Sequence, residues 1–200
     1  MACTVHEEMK MDPKPYLKQL KKELKESRYL HTIGVTYTAA ALAMAHGADL
    51  EQAELAGLLH DCAKNLPDQE SKTLILEHGL EITEFEEKNP ALLHAKAGYI
   101  LSKTKYGVKD EEIRHAILVH TTGCPSMNLL DKILFIADYI EPGRDKQAHL
   151  AELRKEAFSD LDSCLLHVLE DTVSYLRKSG KILDPMTEKT YLYYKERIHQ

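Results

Sequence analysis

The chain has 200 residues, 44% hydrophobic and 29% charged, enough apolar material for one globular unit with a real core. A formal net charge of -6 and a pI near 6.0 argue against recruitment of long nucleic acid by an overall basic field, but leave room for a local basic pocket that holds a small anion. No apolar run approaches the roughly 20 residues of a membrane span; the start MACTVHEEMKMDPKP carries no apolar leader core, and Cys3, Cys62, Cys124 and Cys164 form no CxxC pair, so the expectation is reduced thiols in a cytoplasmic protein.

Apolar residues recur at helical spacing along the whole chain and no stretch alternates as a half-buried strand would, so the predicted class is all-α. Residues 1–12 read as a flexible tail ahead of a single domain over 13–200. Helices are predicted over 14–26, over 28–46 with Ser27 as N-cap, over 50–60 with Asp49 as N-cap, over 68–78 after Pro67, and over 90–106 with Pro90 in the first turn. Further helices follow over 110–121 behind Asp110, 128–141 behind Asn128, 147–157, 160–179 closed by Gly180, and 187–199. Gly47, Gly79, Gly107 and Gly180 stand where left-handed C-caps belong. The segment 28–142 forms the predicted core, with the helices of 147–199 packed on it.

Eleven histidines exceed ordinary composition, and their placement organises this map. His31 opens a helix in YLHTIGV, His60 and Asp61 close the third helix in AGLLHDCAKN, and His94 lies in the first turn of PALLHAKAG. His120 ends AILVHTTG, and Asp138 sits among apolar neighbours in LFIADYIEPGR. Any one of these histidines alone reads best as a core residue bonded to a backbone carbonyl, and Asp138 alone as the partner of Arg144 or Lys132.

The adjacent His60 and Asp61 resist that reading. Neighbours on a helix point about 100° apart, so both reach one point only where it lies beyond the helix end. An unpaired charge buried beside Leu55, Leu58 and Leu59 costs several kcal/mol, roughly. A metal ion offsets that cost, with the imidazole neutral and the carboxylate charged. Gly34, Gly98 and Gly123, each within about one turn of one of these histidines, let a neighbouring backbone or a ligand come close. His6, His46, His78, His115, His149, His167 and His199 lack such a context and are assigned to surface or packing, and Cys62 to a buried thiol. KQLKKELKES is a solvated helix face, and TYLYYKER a helix that packs on the core or forms a dimer contact.

The series His31, His60-Asp61, His94, His120, Asp138 resembles the HD-domain superfamily of metal-dependent phosphohydrolases. The flanks RYLHTIGV, AGLLHDCAK, LLHAKAG, HTTG, LDKILFIADYIEPGR and KILDPMT are similar to those of the YqeK family, bacterial HD-domain enzymes that hydrolyse diadenosine tetraphosphate symmetrically to two ADP. The resemblance spans roughly residues 15 to 190 and implies an HD-domain helical bundle. It departs at RDKQ, 144 to 147, where an aromatic-proline pair is expected after the arginine, and at TEKTYLYYKER, which lacks the family's Arg-Asn ending.

Hydrolysis of a phosphoanhydride needs an ionised water, neutralised phosphoryl oxygens and a stabilised leaving phosphate. A metal held by His31, His60, Asp61 and Asp138 supplies the water; two imidazoles with two carboxylates suit iron, manganese or zinc, and the resemblance tips the expectation to iron. The expected catalytic residues are Asp61, His94 and His120. His94 and His120 are assigned to a phosphate contact, with a second ion bridged through Asp61 as the alternative. Lys64 lies one turn past His60, and with Asp61 and Asp138 borders the substrate. By resemblance, Arg28 and Arg144 contact phosphates, and Lys181, Ile182, Leu183, Asp184, Pro185 and Met186 close over the nucleotide. The expected partner is a small nucleotide, with no long nucleic acid and no membrane; a homodimer stays open. Two other readings also stay open: the same centre acting on a deoxynucleoside triphosphate or a guanosine polyphosphate, which the departures support, and a regulatory module that binds a nucleotide without turnover, against which the intact metal residues argue.

Overall fold

The computed structural model describes residues 13–198; the expected tail over 1–12 lies outside the described residues, as do Cys3, His6 and His199. The described residues form helices and no strand: α1 (Lys14–Glu23), α2 (Glu26–His46), α3 (Leu50–Leu59), α4 (Asp68–Glu77), α5 (Glu84–Lys88), a 3₁₀ turn Pro90–Leu92, α6 (Leu93–Thr104), α7 (Glu111–Val119), α8 (Leu129–Ile140), α9 (Leu150–Glu156), α10 (Leu161–Lys178) and α11 (Pro185–Ile198). None of these helices is long and apolar enough to cross a membrane.

The central helix α2 packs along α3 and α8, and α7 lies against α3, α6 and α8. Leu42, Leu58, Leu59, Ile117, Ile133, Leu134 and Leu165, one or more from each of α2, α3, α7, α8 and α10, are buried completely or within 1% of it. Burial of such side chains, about 1.5–3 kcal/mol each, holds the ends of α2, α3, α7 and α8 at one place. A smaller cluster of Ile75, Leu93 and Ile100 fastens α4 to α6, and α10 carries α9 and α11 on the flank of α8. α2 and α3 approach so closely that a Cβ on Gly57 would sit 2.8 Å from the Thr36 Cα, so only glycine permits it.

Side-chain caps set the helix starts that matter for the centre. Asp49 accepts from the Gln52 N–H at 2.8 Å, Asp110 from Glu112 at 2.9 Å, and Asn128 forms a reciprocal capping box with Asp131. Gly47 ends α2 in the left-handed conformation at φ 70°, and Gly79, Gly107 and Gly180 also have positive φ.

The structure corrects several expected boundaries. Ser27 is not an N-cap but lies inside α2, which starts at Glu26 behind Lys25, without a side-chain cap bond. The break falls instead at Leu24 and Lys25, both extended, because Leu24 drops into the core at 6% exposure and the turn must form around it. Pro90 opens a 3₁₀ turn rather than α6. The acidic segment Glu84–Lys88, for which no helix is predicted, forms α5 through a Thr83–Glu86 capping box. The helix expected from 147 starts at Leu150 behind a left-handed His149, and the last helix begins at Pro185 rather than 187.

Candidate metal centre

Five helices deliver six donors to one point: His31 from α2, His60 and Asp61 just past α3, His94 from the first turn of α6, His120 at the end of α7, and Asp138 near the end of α8. Three of the histidines use the same local device. The Nδ1–H of His60 donates to Gly57 O at 2.7 Å, that of His94 to Ala91 O at 2.6 Å, and that of His120 to Ile117 O at 2.7 Å, each a carbonyl three residues back. A carbonyl only accepts, so this bond fixes the tautomer and leaves Nε2 as a lone-pair donor. His31 obtains the same orientation from Glu141, whose Oε1 lies 3.0 Å from Nδ1.

The exposed lone pairs converge. Nε2 of His31 and His60 are 3.3 Å apart, and Nε2 of His94 and His120 are 3.1 Å apart. Two neutral imidazole lone pairs at that distance repel unless a cation lies between them. Asp138 Oδ1 lies 3.0 Å from His31 Nε2, and His31, His60 and Asp138 make one group of donors within 4.8 Å of one another. Asp61, His94 and His120 make a second such group. Asp61 spans both: Oδ2 is 3.4 Å from His60 Nε2 and 3.9 Å from His31 Nε2, while Oδ1 is 3.2 Å from His94 Nε2 and 3.8 Å from His120 Nε2. The expected four-residue set thus lies together, but one Asp61 oxygen faces the two histidines assigned to phosphate. Asp61 Oδ1 is buried with no hydrogen bond, the Lys64 ammonium standing 3.8 Å away, beyond donating distance, so this oxygen is left with a free ligating lone pair. The donor set, the orphaned oxygen and the oriented tautomers all fit a divalent ion.

The electrostatics agree. Burial, with the charges of His120 and Lys64, pushes His94 down to about 3; burial and His60 push His120 down to about 4, so both imidazoles are neutral ligands near pH 7. Burial opposes ionisation of Asp61, but the adjacent His60, then His94 and His120, outweigh it and hold the carboxyl well below the usual range. Asp138 is likewise held low, burial being outweighed by His31, His60 and Arg144. His60 runs the other way, pushed down by burial but further up by Asp61, so a metal at its Nε2 would take the place of a proton.

Cations rim the cluster. Arg28 Nη1 lies 2.7 Å from Asp61 Oδ2, and Arg144 donates to Asp138 Oδ1 at 2.6 Å and Asp138 O at 2.9 Å. Lys64 Nζ is 3.1 Å from His94 Nε2, and Thr121 Oγ1 lies 3.1 Å from His120 Nε2. Arg28 and Arg144 line one pocket of about 260 Å³ with Ser27, His31 and Glu141. Past Thr121 opens a larger, mainly apolar cavity of about 740 Å³ between α5, α6, the 121–124 turn and the start of α11. Of the segment expected to close over the nucleotide, Ile182, Asp184, Pro185 and Met186 line this cavity; Lys181 instead stands over the Tyr175 ring, and Leu183 does not reach the lining.

Sequence reasoning missed Glu141. It is 3% exposed, orients His31, and accepts from the Gly143 N–H at 2.5 Å; a Cβ on Gly34 would lie 2.3 Å from its Oε2. The signal was present, since Glu141 follows Asp138 by three residues and so shares its helix face.

Donors arriving in this chain order define the metal-dependent HD class, and the HD domain model matches residues 28–143, a span that contains all six. The chain is 41% identical over 172 residues to the symmetrical bis(5'-nucleosyl)-tetraphosphatase of Bacillus subtilis, covering 86% of this chain and 91% of the relative. It is 41% identical over 175 residues to the protein of the same name from Halalkalibacterium halodurans, covering 88% and 92%. Its fold matches the crystal structure of a predicted HD superfamily hydrolase involved in NAD metabolism from Clostridium acetobutylicum, with a TM-score of 0.89, 40% identity, and coverage of 94% of this chain and 98% of that one. The chain therefore belongs to the HD-domain hydrolases and, within them, to the family of symmetrical bis(5'-nucleosyl)-tetraphosphatases. HD domains bind divalent metals, and the His/Asp cluster is a set of donors that could hold one.

Proposed function

We propose that this chain hydrolyses diadenosine tetraphosphate symmetrically to two ADP. The observation that carries the reading is Asp61, one carboxylate shared between two donor groups and rimmed by Arg28, Lys64 and Arg144. The names of the relatives support the substrate. The chemistry a bound divalent metal supplies is Lewis acidity toward phosphoryl oxygens and a lowered pKa of water. Iron is the metal we propose for the group of His31, His60, Asp61 and Asp138, and the Asp61, His94 and His120 group supports a second ion in preference to a bare phosphate contact.

Arg28 and Arg144 hold phosphates on one side, as planar guanidiniums do, and Lys64 holds them on the other. One adenosine lies in the apolar cavity beyond Thr121, against Ile182, Pro185 and Met186. With one nucleoside anchored there and the polyphosphate drawn across the centre, the inner phosphoryl groups face Asp61, so the leaving group is ADP. The free thiols Cys62, Cys124 and Cys164 support a cytoplasmic setting. Exposed Leu30, Tyr37 and Met44, seven residues apart on α2, support a homodimer, which light scattering tests directly.

Incubation with diadenosine tetraphosphate in oxygen-18 water, followed by chromatography and mass spectrometry, is the deciding experiment. ADP as the only product, half of it labelled, is expected. ATP and AMP in equal amounts overturn the reading, because they require an outer rather than the central anhydride bond to break. Faster turnover of a deoxynucleoside triphosphate or a guanosine polyphosphate in the same panel keeps the centre and replaces the substrate.

A further inference from the structure

Away from the centre, His115 on α7, Cys124 in the loop after it and Asp131 in the first turn of α8 each bring one donor atom within 4.8 Å of one another. We propose that these three residues form a separate zinc site that fastens the 120–128 loop between α7 and α8. Thiol, imidazole and carboxylate together are a borderline-soft donor set, the type zinc prefers over magnesium or calcium, and three protein ligands plus a water complete a tetrahedron.

The geometry is that of a prepared site. Asp131 is 1% exposed; its Oδ2 accepts from the Asn128 N–H at 3.0 Å while Oδ1 lies 2.9 Å from His115 Nδ1. A backbone N–H thus fixes the carboxylate, as outer-shell partners of ligating carboxylates do. The His115 side chain is 41% exposed, which gives an ion an entry path. An ion pair of His115 with Asp131 accounts for two of the three side chains but leaves the convergence of Cys124 unexplained. Burial, and then the Asp131 charge, push that thiol up to about 11, so it ionises near neutral pH only with a cation at hand.

On binding, the Cys124 thiol proton leaves to solvent, and the His115 proton moves from Nδ1 to the outer Nε2, which frees the Nδ1 lone pair. Thiolate and carboxylate then balance the two charges of zinc, so no net charge is buried. The site sits where it can matter. The loop starts at His120, and Thr121, Thr122, Gly123 and Cys124 form one wall of the large cavity.

Cobalt reports the site without relying on turnover, because the donors of the catalytic centre are nitrogen and oxygen only. The chain carrying its catalytic metal is titrated with Co²⁺ and read for a sulfur-to-cobalt charge-transfer band in the near ultraviolet. The band is expected in wild type, in Asp61→Ala and in Cys62→Ser, to be removed by Zn²⁺, and to be absent in Cys124→Ser. Elemental analysis after zinc loading and desalting should give about one zinc more per chain in wild type than in Cys124→Ser. His115→Gln carries the same expectation at a half-exposed side chain, so a folding failure of one variant does not decide the test. Equal zinc content in wild type and both variants, or a band that survives Cys124→Ser, overturns the site.

Discussion

Every imidazole of the metal centre is at most 9% exposed and is held on its Nδ1 side by a carbonyl or by Glu141, whereas the cavity beside it is walled by the five-residue α5, a turn and the start of α11, where Ile182 is 78% exposed and Met186 43%. The first region has its positions fixed by the packing of five helices. The second has a shape, with α6 and the end of α7 on one side and connections on the other. Reacting groups lose rate when displaced by about 1 Å, but an apolar wall contributes roughly in proportion to area. Damage in the two regions should therefore differ in kind: substitutions in the centre should abolish metal and chemistry, and substitutions in the wall should shift affinity.

The sharpest test of that contrast is Asp61→Ala, which removes the one carboxylate both donor groups share. Hydrolysis should fall to background and the metal of this centre should be lost, while circular dichroism keeps its helical signal, because no core hydrocarbon is removed. Full metal occupancy in this variant breaks the assignment. Glu141→Gln comes next. It keeps the shape but weakens the acceptor that orients His31, and metal affinity should drop about 10- to 100-fold; a metal-chelator competition that returns the wild-type constant reduces Glu141 to a loop anchor.

Arg144 stands at the border, bonded to Asp138 on one side and facing the smaller pocket on the other. Arg144→Ala should leave metal content unchanged and slow turnover by about 10- to 100-fold, or roughly 1.4–2.8 kcal/mol. In the wall, Ile182→Ser should raise KM by about 3- to 5-fold, near 1 kcal/mol, with kcat unchanged. If kcat falls as well, the wall is part of the chemistry and the contrast fails.

The same division explains what the sequence disclosed. The centre was legible because Asp49, Asp110 and Asn128 mark the starts of three helices whose far ends carry donors, and because His60 and Asp61 are adjacent and polar where the helix is otherwise apolar. How the donors divide was not legible. Asp61 faces His94 and His120 only because α6 and α7 pack together above α3, a tertiary arrangement that no local spacing encodes. Glu141 ends the helix predicted over 128–141 and nothing in its spacing points to His31, 110 residues away, and α5 is too short for periodicity to mark. The His115 and Asp131 contact is of the same sort, joining residues 16 apart across a loop.

A histidine outside both regions calibrates the comparison at its small end. His167 on α10 has its Nδ1 2.8 Å from Glu156 Oε2, with a side chain 51% exposed. The bond to Glu156 raises its pKa above the ordinary 6.5, burial opposing weakly. The folded chain therefore holds the proton more tightly than the unfolded chain. Stability from this pair is full below pH 6.5, and is lost as pH rises through the raised folded value. Solvent screening keeps it under about 1 kcal/mol. Urea denaturation of wild type and His167→Asn should thus show a small gap near about pH 5.5 that closes by about pH 8.5. A gap that widens with pH reverses the sign and removes the ion pair. A gap of several kcal/mol would mean that a half-exposed histidine is held as firmly as His60, and the distinction between carbonyl-anchored imidazoles in the centre and solvated ones on the surface would then have no energetic basis.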